Sequence, residues 1–124
     1  MEKIRSHRDL KVWMKAMDAA MAVFEVSKAF PNAERFSMTD QVRRSSRSVP
    51  ANIAEAWRKR RYPAAFVSKL NDAEAEAAET QTHIELACRC GYLAHSKAAE
   101  LDQLYEEIIS MIVTMSNQPE KWCL

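Results

Sequence analysis

Apolar residues recur at spacings of three and four along nearly the whole chain, the period of helices that bury one face. Leu10, Trp13, Met17, Ala20, Phe24 and Ser27 form one such row. Val12, Ala16, Ala19, Val23, Val26 and Phe30 form a second beside it, so a first helix near 7–30 carries a broad apolar stripe. It is expected to start at a Ser6–Asp9 capping box and to stop at Pro31-Asn32. A second helix, near 37–61, shows the same opening in Ser37 and Asp40, with Phe36 before it as a staple. Its apolar side is Met38, Val42, Val49, Ile53 and Ala56 or Trp57. Pro50 lies inside it and predicts a kink without a break, because the spacing continues across it; Ser45, Ser46 and Ser48 offer hydroxyls to carbonyls that the proline frees. A third helix, near 63–90, opens on Pro63 and closes on Gly91. Its row runs Phe66, Leu70, Ala73, Ala77, Thr80, Ile84 and Ala87. A fourth, near 96–117, has the row Leu101, Leu104, Ile108, Met111 and Met115 and ends at Gln118-Pro119. No stretch alternates with the period of a strand. Short connections between four helices predict an all-α, antiparallel up-down-up-down four-helix bundle, with residues 1–124 as one domain.

Composition strengthens this reading. One glycine and four prolines in 124 residues leave few helix breakers. Three cysteines, no apolar leader and no apolar run of about 18 residues point to a reduced, cytoplasmic protein without a membrane span.

Charge changes the picture more. The net charge is only +1, which predicts no general attraction to nucleic acid. Yet residues 35–61 hold eight Lys/Arg against Asp40 and Glu55, a local +6, while residues 62–91 and 92–124 carry −3 each. The positive surplus thus sits on one helix. Arg43, Arg44 and Arg47 stand three and four apart and share a helical flank. Arg58, Lys59, Arg60 and Arg61 gather at the helix end, where cations also favour the helix dipole. Phosphate binding, to RNA or DNA, is one reading of these residues. The other is that they pair with the acidic third and fourth helices, in the same or a neighbouring subunit.

No catalytic or metal constellation emerges. A di-iron bundle needs Glu-x-x-His on two helices, whereas Glu79 and His83 are four apart. His83, Cys88, Cys90 and His95 cluster around the end of the third helix, but Cys-x-Cys is not a zinc knuckle spacing and His83 is more than a turn from Cys88. The serines of "RRSSRS" have no nearby histidine, and Asp72, Glu76 and Glu79 mark a solvated or partner-facing edge. No metal, cofactor or enzymatic activity is expected.

Three segments carry a family resemblance: "HRDLKVWMKAMDAA", "FPNAERFSMTDQVRRSSRSVPANIAEAWRKR" and "ELACRCGYL". Together they resemble the bacterial four-helix-bundle proteins encoded in intervening sequences of 23S rRNA genes. The family's pattern is matched at Phe30, Glu34, Arg35, Phe36, Thr39, Asp40, Gln41, Arg43, Arg44, Ser48, Pro50, Asn52, Ile53, Ala54 and Glu55. It is departed from at Ala56, where glycine is usual, and at Tyr62-Pro63, where a serine cap is common. The resemblance implies a bundle that assembles into a ring, commonly a pentamer. The accessory proteins of diversity-generating retroelements, which work with a reverse transcriptase and nucleic acid, are relatives. The implied role is a non-enzymatic homo-oligomer that binds RNA or DNA through its basic second helix. The alternative is a protein-interaction scaffold, or a reverse-transcriptase accessory subunit, whose arginines form salt bridges between subunits.

Overall fold

A computed structural model describes residues 3–124. Four long helices account for most of them: α1 (Lys11–Ser27), α2 (Met38–Arg58), α3 (Pro63–Arg89) and α4 (His95–Asn117), with short 3-10 turns at His7–Asp9, Asn32–Glu34 and Pro119–Lys121. α1 packs on α2, α2 on α3, α3 on α4, and α4 returns to α1. Contacts between helices run in opposite senses at each seam. Ser27 meets Arg43 across α1–α2, Ser45 meets Thr80 across α2–α3, Gln81 meets Glu106 across α3–α4, and Lys15 meets Glu107 across α1–α4. The fold is the expected all-α, up-down-up-down bundle. No helix is long and apolar enough to cross a membrane.

The core alternates large and small side chains. Phe66, Leu70, Ile53, Tyr105, Ile108 and Ile112 interlock with Ala16, Ala19, Ala56, Ala73 and Ala77, all fully buried. Such alternation lets the helices approach while filling the interior. All seven positions of the α3 row are buried. In α4 the buried row is Leu101, Tyr105, Ile108, Ile112 and Met115; Leu104 and Met111 only flank it. In α1 the second row supplies the core, through Val12, Ala16, Ala19 and Val23. Of the first row, Leu10 and Ser27 are buried, Met17 is 40% exposed, and Trp13, Ala20 and Phe24 are partly covered. Neighbouring helices, not periodicity, decide which of two apolar rows faces inward.

The helix ends differ from expectation in instructive ways. Ser6 and Asp9 do cap a turn: Ser6 Oγ accepts the Arg8 N–H at 3.2 Å, and Asp9 Oδ2 accepts the N–H groups of Arg5 at 2.8 Å and Ser6 at 3.2 Å. That turn is a separate 3-10 segment, and α1 begins after an extended Leu10. Ser37 makes no side-chain cap on α2; its hydroxyl donates to Glu34 Oε1 at 2.6 Å. Phe36 staples nothing and is 84% exposed. The partner position for a staple, four residues into the helix, is the polar Gln41.

α2 runs unbroken through Pro50. The carbonyl that proline deprives of a partner is that of Ser46. The serine hydroxyls go elsewhere: Ser45 donates to Val42 O, Ser46 to Arg43 O and Ser48 to Arg44 O. These are hydroxyls folding back one turn within the helix, not replacements for the missing bond. Ser45 also accepts from Thr80 at 2.8 Å in the buried α2–α3 seam. α3 starts with Pro63 at its first position, as expected. It closes in a Schellman motif: Tyr92 N–H reaches Ala87 O, Gly91 N–H reaches Cys88 O, and Gly91 takes φ +80.

Candidate nucleic-acid or partner interface

The seven candidate cations, with Arg35 beside them, fall into two groups at opposite ends of α2. Near its start, Arg35, Arg43, Arg44 and Arg47 border a surface trough of about 650 Å³, with Phe36, Thr39, Asp40, Ser48 and Ala51 completing its walls. At its end, Arg58 is the last helical residue and Lys59, Arg60 and Arg61 form the turn into α3.

The first group does not share one flank as expected. Arg43 and Arg47 lean towards α1, with their guanidinium carbons 4.8 and 5.9 Å from the centre of the Phe24 ring. Arg43 Nε also donates to Ser27 Oγ at 2.8 Å. Arg44 points the other way, to α3, donating to Glu79 Oε2 at 2.6 Å and lying 3.7 Å from Glu76 Oε2. An arginine over an aromatic face is held in place without being neutralised, so Arg43 and Arg47 keep their charge available at the trough. Arg44 is partly satisfied by its carboxylates. Helical spacing places Phe24 in the bundle seam of α1. Its role under the arginines is a contact between helices, for which spacing along one helix contains no signal.

In the second group, Arg60 lies 3.5 Å from the centre of the Trp57 ring, and its Nε donates to the Trp57 carbonyl at 2.8 Å. Burial, with repulsion from Arg58 next, lowers its pKa below the ordinary arginine value. Arg58, Lys59 and Arg61 are exposed. Among the described residues, Arg44 alone of the seven forms an ion pair within the chain. The alternative reading, pairing with α3 and α4, is met within the chain at one arginine and through α3 alone. The carboxylates find other partners: Lys69 bridges Glu55 and Asp72, and Lys15 takes Glu107.

The residues weighed for metal or catalytic chemistry are only partly brought together. His83 Nε2 stands 3.5 Å from Glu79 Oε2, an oxygen that Arg44 already occupies. Cys88 Sγ lies 3.3 Å from His95 Nδ1 across the α3–α4 turn, while Cys90 is exposed and forms no part of that contact. Among the described residues, no three His, Cys, Asp or Glu side chains gather closely enough to hold a metal ion. Tyr105 is sealed in the core, and burial drives its ionisation far above the ordinary tyrosine value.

A continuous bundle with an intact core and a basic second helix defines a class of small helical proteins, and comparison places the chain within it. Residues 8–114 match the 23S rRNA-intervening sequence protein family, and the chain belongs to that family. A solved structure from Bacteroides thetaiotaomicron, described as a protein with unknown function from the S23 ribosomal protein family, superposes with a TM-score of 0.77 at 30% identity. The match covers 85% of this chain and 97% of that one. No curated protein matches.

Proposed function

We propose that this protein is a non-catalytic, homo-oligomeric bundle that holds the phosphate backbone of RNA or DNA along α2, through Arg43, Arg44, Arg47, Arg58, Lys59, Arg60 and Arg61. The observation that carries the reading is that six of these seven cations have no carboxylate within the chain among the described residues, while aromatic rings hold three of them in place. Charge positioned in this way, and left unneutralised, suits an anionic polymer. Self-association is supported by α1. Met14, Met17 and Met21 are 44, 40 and 56% exposed and continue at helical spacing to Phe24, an unpartnered apolar row suited to a second copy of the chain.

The test is fluorescence anisotropy with labelled RNA and DNA at two salt concentrations. Wild type should bind at low salt, with a log–log salt slope of about −0.9 per phosphate contact on duplex and about −0.7 on single strands. Reversing Arg47, Arg58 and Arg61 to glutamate should abolish binding and leave helicity and oligomeric mass unchanged. Arg60 is kept in this variant because its side chain packs on Trp57. One observation favours a second reading: Arg44 already pairs with carboxylates of α3, so the remaining cations can take the same groups on a neighbouring subunit. Under that reading wild type does not bind at low salt, and the triple reversal alters the oligomer.

A further inference from the structure

Phe36 is the most exposed large apolar side chain among the described residues, at 84%. It does not stand alone. It forms one wall of the trough bordered by Arg35, Arg43, Arg44 and Arg47, and the Arg35 guanidinium carbon lies 5.2 Å from its ring centre. An aromatic ring in water has no folding role that the structure reveals, since it neither staples α2 nor joins the core. Its turn is nonetheless fixed. Glu34, two residues before it, accepts from the hydroxyls of Ser37 at 2.6 Å and Tyr92 at 2.9 Å.

We infer that Phe36 is a stacking platform for an unpaired base, and that the trough therefore takes single-stranded rather than duplex nucleic acid. This rests on the phosphate-binding reading of α2. A flat apolar face beside several guanidinium groups matches the two halves of a nucleotide: the base stacks, and the flanking phosphates meet Arg43 and Arg47. Single-strand sites are built this way, because every base offers a π-face while the backbone follows the cations. The trough, at about 650 Å³, is open enough for an extruded base and its sugar-phosphate. In a duplex the bases are stacked inside and cannot reach the ring. Asp40 lies on the same trough and disfavours phosphate at its own wall, which leaves the Arg43–Arg47 side as the path of the backbone.

The experiment measures binding of three probes at low salt: oligothymidylate, an abasic strand of equal length, and a blunt-ended DNA duplex. Wild type should bind oligothymidylate tightest. Phe36→Ala should weaken that binding by between about 5- and 150-fold, the range for losing one base–aromatic stack, down to the level of the abasic strand. Its salt slope and its affinity for the duplex should stay as in wild type, and Phe36→Trp should restore the preference. Equal binding of oligothymidylate by wild type and Phe36→Ala would overturn the stacking inference and leave phosphate binding by the arginines in place. A change of oligomeric mass in Phe36→Ala, read by light scattering, would also overturn it, by making the ring a subunit contact. Failure of wild type to bind any probe would remove the reading beneath it.

Discussion

Glu34 does more in this structure than its place in a three-residue turn suggests. One oxygen accepts from the Ser37 hydroxyl and sits 3.5 Å from the Met38 N–H; the other accepts from Tyr92. The carboxylate thus ties the α1–α2 connection to the turn between α3 and α4. The Ser37 hydroxyl, then that of Tyr92, holds the carboxyl below the usual glutamate value of 4.5. A depressed carboxylate contributes stability that is full above its unfolded value and fades as pH falls through the folded one. Wild type should therefore lose melting temperature below pH 4.5 more steeply than Glu34→Gln, in thermal scans across the acid range. The same contact raises the Tyr92 hydroxyl above 10.0, chiefly through its bond to Glu34, so it also weakens at the alkaline end, when the phenol ionises. A variant whose acid limb overlays that of wild type would assign the sensitivity to other carboxylates.

Helix boundaries and faces were legible to different degrees, for physical reasons. α3 could be read whole: Pro63 and Gly91 bracket it, and a single apolar row runs between them. α1 could not, because it has two rows of the same period, and only packing against α2 and α4 selects Val12, Ala16, Ala19 and Val23. α4 slipped at two positions, since Tyr105 and Ile112 continue the row from Leu101 and Ile108 at helical spacing as well as Leu104 and Met111 beside them do. At the candidate interface the clustering of cations was plain in the sequence. Their partners were not, because Phe24, Glu76 and Glu79 belong to other helices. Gly91 offers a clean test at this scale. A methyl group there would meet nothing within 4 Å, so only its φ of +80 demands glycine. Gly91→Ala should cost about 1 kcal/mol by urea denaturation, with the m-value unchanged. A neutral result would mean that the α3 terminus relaxes without loss.

The self-association proposed above rests on a surface the isolated bundle leaves open. Met14, Met17 and Met21 lie on the outer side of α1 and reach Phe24, the ring beneath Arg43 and Arg47. If that row seats a second copy, Met17→Glu with Met21→Glu should reduce the mass seen by light scattering to that of one chain, with helicity retained. A wild type that is already monomeric at micromolar concentration would dismiss self-association. The burial of a neighbour against this row would also fix Phe24 from outside, coupling the subunit contact to the posture of two arginines.

The continuity of α2 through Pro50 has a metric consequence. With no break between them, the Arg43–Arg47 group and the Arg58–Arg61 group are held on one stiff rod about 20 Å apart, at 1.5 Å per residue. If the cations hold a single strand as proposed, α2 acts as a gauge of its length, and strands too short to span the two groups can engage only one end.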